Sequence, residues 1–450
     1  MMSPSSIPLD KVPDSARRTD KLTVAAWALW DWGAAAFHAV LVTFIFAVYL
    51  TDSVGDTINS RYTPAQWLSF AVAVAGVAIF AVTPIMGQRA DIHGTRKRSL
   101  AMWSLWTFLI MIALFFIRND APIYFWSGLV LLAIGTITIE FAEVNYFAQL
   151  SQVATTHTVG KVSGLGWSAG YFGGIFLLLL CYVGFVSGEG GLLGLSTTGG
   201  FNIRVVALVA AIWFGLSCVP GLIRVPEIPP RPEQTGGILD SYRKLFTDVK
   251  SLWHTDRNAC YFLFASAIFR DGLAGVFSFG AILGVTVYGL SAGDVLIFGV
   301  AANVAAALGA VAGGLLDDKV GPKPIILTCL TVLSVTSFTM FFLEGPLAFW
   351  VGGLILCSAV GPAQSSARSF LARVAPVGKE GQMFGLYATT GRSVSWLSPA
   401  LFGLFVSLLG QGDRGGIIAI ALVIALGALV LIPVRDPHRR HYKSSITHTQ

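Results

Sequence analysis

Ten side chains able to carry charge, protons or strong hydrogen bonds stand inside stretches that are otherwise apolar: Asp31, His38, Glu140, Glu143, Asn145, Arg270, Asp271, Gln364, Arg368 and Arg392. A charged side chain at the centre of a membrane helix costs at least about 2.5–3.5 kcal/mol, so each one marks a pathway, a relay or a fixed pair. Asp31, in LWDWGAAAFHAV, has the chemistry of a proton carrier, an ammonium binder or a gate, or of one half of a structural ion pair. His38 follows seven residues later, about two helical turns on and so on the same face. Together they suit a proton relay, although a histidine in a helix also serves as hydrogen-bonded packing. Glu140 and Glu143, spaced i,i+3, share a face of one helix. Two neighbouring carboxylates in low dielectric cannot both ionise cheaply, so one of them readily holds a proton unless Arg368 or Arg392 neutralises the pair. Arg270 and Asp271 are adjacent and point about 100° apart. A wall of that kind suits a zwitterion, Arg270 taking its carboxylate and Asp31 or Asp271 its ammonium.

These residues need elements that hold them in lipid. The 450 residues are 54% hydrophobic and 12% charged, against roughly 25% charged in soluble domains, and the mean hydropathy is +0.71. Apolar runs of about 20 residues, the length that crosses a bilayer, recur along the chain. Polar, Gly- and Pro-rich breaks divide it into twelve spans near 24–50, 65–88, 98–117, 122–152, 161–187, 203–225, 258–289, 292–316, 324–343, 347–372, 381–409 and 415–434. The predicted fold class is an all-α polytopic membrane protein of twelve transmembrane helices in two pseudo-symmetric six-helix halves, 24–225 and 258–434. A disordered N-terminal tail (1–23), a linker (226–257) and a C-terminal tail (435–450) complete it.

Of the 30 Lys and Arg residues, 23 fall on the side of the termini and linker and four on the other (Arg61, Arg118, Arg204, Arg414). That asymmetry places both termini in the cytoplasm. It also accounts for the net charge of +6 without an anionic partner, and nothing resembles a nucleic-acid-binding module. The five cysteines lie in apolar segments and lack metal-ligand spacing, so helix packing is expected of them rather than disulfides. With no metal cluster, nucleophile elbow or phosphate loop in the sequence, neither an enzyme nor a cofactor is expected.

The chain repeats itself. GQRADIHGTR after span two and GLLDDKVGPK after span eight align at an offset of 227, matching Gly87, Asp91, Gly94 and Arg96 with Gly314, Asp318, Gly321 and Lys323. Eight identities join spans four and five to ten and eleven at an offset of 221, Gly160 with Gly381 and Gly170 with Gly391 among them. Asp31-x-x-Ala34-x-x-Phe37 recurs as Asp271-x-x-Ala274-x-x-Phe277. In the loops, the glycines allow tight turns, and Asp91 is placed to bond helix N-terminal amides or pair with Arg96. Gly166, Gly170 and Gly174 form a small-residue ridge for close helix packing.

Two six-span halves with this loop after the second span of each resemble the major facilitator superfamily. Residues 28–50, 160–175 and 362–405 resemble its vacuole-effluxer-like branch, the fungal vacuolar amino acid exporters and their bacterial relatives. The absence of long insertions favours a bacterial member. The chain departs from the branch at Ala34–Ala36 and His38, in the order Asn145-Tyr146-Phe147, and at Ser151, all where a solute would sit. Tyr171 stands where the superfamily's antiporter motif has proline. The resemblance implies a secondary active transporter working by alternating access for a small polar solute, with amino acid efflux and proton coupling as the finer expectation. It also implies a central cavity lined by spans one, four, seven and ten, and loops 87–96 and 314–323 that latch the cytoplasmic side. A monomer in the inner (plasma) membrane, with the lipid bilayer, protons and a small molecule as its partners, completes the expectation. A non-transporting receptor or scaffold on a carrier-derived fold is the alternative.

Overall fold

The computed structural model describes residues 20–230 and 237–437; the greater part of both predicted tails and the proline-rich 231–236 lie outside them. Among the described residues, twelve helices are long and apolar enough to cross a membrane: Lys21–Thr57, Pro64–His93, Arg96–Leu114, Pro122–Val153, Val159–Val186, Thr198–Arg224, Arg257–Thr286, Gly293–Val320, Pro322–Phe342, Gly345–Val374, Glu380–Leu409 and Arg414–Leu431. They are numbered here as spans one to twelve.

Their ends follow local chemistry. Asp20 caps span one by accepting from Leu22 N and Thr23 Oγ1, and these bonds hold its carboxyl below the usual carboxylate range. Helix therefore starts at Lys21, inside the segment read as a disordered tail ending at residue 23. Thr63 and Gln66 form a capping box ahead of span two, with Pro64 in its first turn. Gly94 ends that span in the left-handed region, φ 63°, which glycine enters without a Cβ penalty.

Several spans are irregular, span five among them, which ends in a π-type turn over Tyr182–Val186. Span one widens into π-type turns over Ala36–Phe44 and again over Leu50–Val54, carrying it beyond residue 50, where its apolar run ends. Span eleven is broken between Val394 and Leu397 into two helical pieces.

Each half has its own apolar core. Trp27, Trp30, Phe37, Phe46, Phe125 and Phe214 anchor the first; Phe262, Phe269, Phe370, Phe384 and Ile424 anchor the second, which also takes in Val144 and Ala148 of span four. The halves meet along two seams, spans two with eleven and five with eight. Between them runs an amphipathic linker helix, Ile238–Thr255. All five cysteines are free, four of them buried.

Candidate functional site

Asp31 is the hub of a polar cluster joining both halves. Its Oδ2 accepts from Arg368 Nη1 of span ten at 3.1 Å and from the Tyr146 hydroxyl of span four at 3.0 Å. Arg368 is 1% exposed, and its other donors are spent on span five: Nε on Ser163 Oγ at 3.0 Å, Nη2 on Ser163 O at 2.6 Å. The guanidinium lies over the rings of Phe147, Trp27, Trp167 and Tyr146, 5.0–5.7 Å from their centroids, a desolvated setting that strengthens cation–π attraction. Gly166 makes room for this cluster: a Cβ there would stand 2.6 Å from Arg368 Nη2 and 3.0 Å from Asp31 Oδ2. Gly170 and Gly174 lie along Asp31, Ala35 and Ala39, so the ridge read from the sequence packs span five on span one.

The two glutamates take different partners. Glu140 Oε2 accepts from Arg392 Nη2 at 2.6 Å, linking span four to span eleven. Glu143 Oε1 is 2.8 Å from His38 Nε2. His38 stands in the π-type turn of span one, and such bulges recur at functional sites. It therefore partners Glu143 rather than Asp31.

A cavity of about 640 Å³ opens between spans one, four, five and eight. Asp31 lies on its wall towards the terminus side; Ile45, Tyr182 and Val295 line its far end. Glu143, His38, Trp167, Tyr171 and Asn303 are among its walls. The expected lining by spans seven and ten is replaced in this state by five and eight. Span ten's charge reaches the cavity only through Asp31.

Arg270 and Asp271 lie elsewhere, both holding span eleven. Arg270 Nη1 donates to Tyr387 O at 2.9 Å, and its guanidinium sits 3.8 Å over the Tyr387 ring. Asp271 Oδ2 accepts from Ser398 N at 2.6 Å, capping the second piece of the broken span. Neither lines the cavity. Asn145 is fully buried; its Nδ2 donates to Phe141 O, while Oδ1 has no partner among the described residues. Gln364 Oε1 accepts from the Tyr171 hydroxyl at 2.8 Å, behind the cavity wall.

On the terminus side the two repeated loops close the seams in matching ways. Asp91 accepts from Arg96 Nη2 at 2.6 Å and from Gln382 N, at the start of span eleven, at 2.9 Å. Arg96 also donates to Glu380 Oε2 at 2.9 Å. Asp318 accepts from Gly160 N and Lys161 N, at the start of span five, each at 2.8 Å. Arg373 bridges Asp318 and Asp317. Gly87 faces Gly381 and Gly314 faces Gly160, each too close for a Cβ. Lys323, the counterpart of Arg96, donates to Ile432 O, at the C-terminal cap of span twelve.

Sequence reasoning gave no role to Tyr146, Ser163, Glu380, Arg373 or Asp248. Asp248, on the linker helix, accepts from Gln88 of span two and from Lys379 and Gln382 at the head of span eleven. Only Tyr146 carried a usable signal, as the neighbour of Asn145 in a polar pair within an apolar run.

The profile of the family described as vacuole effluxer Atg22 like matches residues 19–441. The chain is 21% identical over 407 residues to the uncharacterized MFS-type transporter YxiO of Bacillus subtilis, covering 90% of this chain and 93% of that one. It is 23% identical to Autophagy-related protein 22-1 of Neosartorya fischeri, over 62% of this chain; the match spans 49% of that longer relative. Among solved structures, the major facilitator proton:xylose symporter XylE bound to 6-bromo-6-deoxy-D-glucose superposes with a TM-score of 0.73 at 16% identity, covering 92% of this chain and 96% of XylE. That likeness establishes the twelve-span facilitator fold.

Proposed function

From the premise that the chain belongs to the vacuole effluxer Atg22-like family of major facilitator transporters, we propose that this secondary transporter exports a small amino acid in exchange for protons. The observation carrying the proposal is the cavity itself. It ends on Asp31, whose partner Arg368 belongs to the opposite half, and its wall holds the His38–Glu143 pair. A proton arriving on Asp31 weakens the tie to Arg368 and so loosens one half from the other. That is the coupling an alternating-access carrier requires. His38, half-exposed and 2.8 Å from Glu143 Oε1, is placed to pass protons between solvent and Glu143.

With the termini in the cytoplasm of an inner-membrane protein, as the Lys and Arg distribution supports, the cavity faces outward and the two loop latches shut the inner side. Export then ends in this state, and the return stroke opens the Asp91 and Asp318 seams. The proposed carrier acts as a monomer, each half supplying one wall of the path.

Flux of a labelled amino acid mixture into proteoliposomes, with and without a pH gradient, tests the reading for wild type and Asp31→Asn. We expect gradient-stimulated flux in wild type and none in the variant. Flux that ignores the gradient and survives Asp31→Asn sinks the coupling scheme. An absence of flux in folded protein rejects amino acids as cargo.

A further inference from the structure

The charges around the cavity are one-sided. Among the described residues, its ionisable walls are Asp31, His38, Glu143 and two tyrosines, with no Lys or Arg. Three guanidiniums carried within the spans are committed elsewhere: Arg368 to Asp31 and Ser163, Arg392 to Glu140, Arg270 to the Tyr387 carbonyl and ring. Arg368 is also sealed from the cavity, 1% exposed behind Asp31. With Glu143 ionised, the His38–Glu143 pair sums to zero or minus one, and Asp31–Arg368 sums to zero. A cation entering the cavity meets the outer lone pairs of two carboxylates, while an anion meets no free positive charge.

Apart from Asn303, whose Nδ2 donates to Gly299 O of its own helix, the remaining wall is apolar or aromatic, Ala35, Phe147, Ile175, Leu178, Trp167 and Tyr171 among it. The aromatic faces favour an ammonium group further. The indole N–H of Trp167 is buried without a partner among the described residues; it is a neutral donor, whose acceptor need not be a carboxylate.

We infer that the cavity recognises its cargo through an ammonium group held by Glu143 and Asp31, with an apolar body against spans five and eight, and that a carboxylate on the cargo is dispensable. The cargo class thereby widens from amino acids to apolar primary amines, including amino acid amides and esters. The inference rests on the cavity being the cargo site proposed above, and it narrows how that site selects.

The test is calorimetric binding of three matched probes to the detergent-purified chain: phenylalanine, phenylalaninamide and 3-phenylpropanoate. Phenylalaninamide is expected to bind at least as tightly as phenylalanine. The acid lacking the amine should bind about ten-fold more weakly or worse, the scale of one lost charge-assisted hydrogen bond. Glu143→Gln should weaken both amines by a similar factor and leave the acid unchanged. The wild-type comparison needs no variant, so a folding defect in Glu143→Gln cannot decide the matter. Tighter binding of 3-phenylpropanoate than of phenylalaninamide overturns the inference, as does binding of none of the three to protein that melts cooperatively. Amine-selective binding without proteoliposome flux leaves this inference standing and removes the carrier reading. Flux of phenylalanine that phenylalaninamide does not inhibit does the reverse.

Discussion

Asp31 and Glu143 look alike in the sequence, each an acid inside an apolar helix, but the structure gives them different duties. Asp31 neutralises a guanidinium whose side chain is 2% exposed, and removing one partner of a buried pair typically costs about 3–5 kcal/mol because a charge is stranded. Asp31→Asn should therefore lower the melting temperature as well as abolish flux. Adding Arg368→Gln should recover part of the melting temperature and none of the flux, a pattern that thermal unfolding in detergent and a flux assay resolve. The side chains of Glu143 and His38 are 20% and 47% exposed, so water can solvate either one left alone. Glu143→Gln should leave the melting temperature close to wild type while reducing flux. Equal destabilisation by Asp31→Asn and Glu143→Gln would show that both pairs are structural and that this division of labour is wrong.

At the scale of helices, closure depends on what is missing from them. Span two meets span eleven as closely as it does because Gly87, Gly381 and Gly385 carry no Cβ. Gly87→Val should hold that seam apart and shift the population towards opening on the terminus side. Spin labels at His157 and Val377, in the loops entering spans five and eleven, would report this as a longer distance, once the native cysteines are replaced. No change in distance would mean that the seam does not limit closure. The linker helix adds a clasp: Asp248 holds Gln88 of one half and Lys379 and Gln382 of the other. Much of this scale was legible in the sequence. The spans announced themselves by length and hydropathy, and the two loops at the seams by duplicated glycines and aspartates. The widened turns of span one and the break in span eleven were not legible, because a shifted hydrogen-bond ladder leaves the apolar pattern intact. Nor were the partners of Glu143 and Arg373, or the tie of Arg96 to Glu380, since contacts across 55 to 284 residues carry no periodicity. The echo of Asp31 in Asp271 concealed a difference in use: Asp271 caps a broken helix.

Across the whole molecule, the repeat becomes mechanical. Asp91 accepts from Gln382 N and Asp318 from Lys161 N, and residues 161 and 382 are counterparts at the same offset of 221 that relates span five to span eleven. Each aspartate thus holds the head of the corresponding helix in the opposite half, where the helix dipole favours an anion. Rocking one half against the other must break both contacts together. Because the two seams share no residue, their contributions to the closed state should add within about 0.5 kcal/mol. Asp91→Asn and Asp318→Asn should each remove about 1.5–3 kcal/mol, the worth of a hydrogen bond to a charged group, and the double variant should remove the sum. Populations from the same spin-label distance, compared across wild type, both single variants and the double, give the three free energies directly. A double variant no more open than either single would mean that one seam alone bears the closed state, leaving the second loop as an inherited copy without a mechanical part.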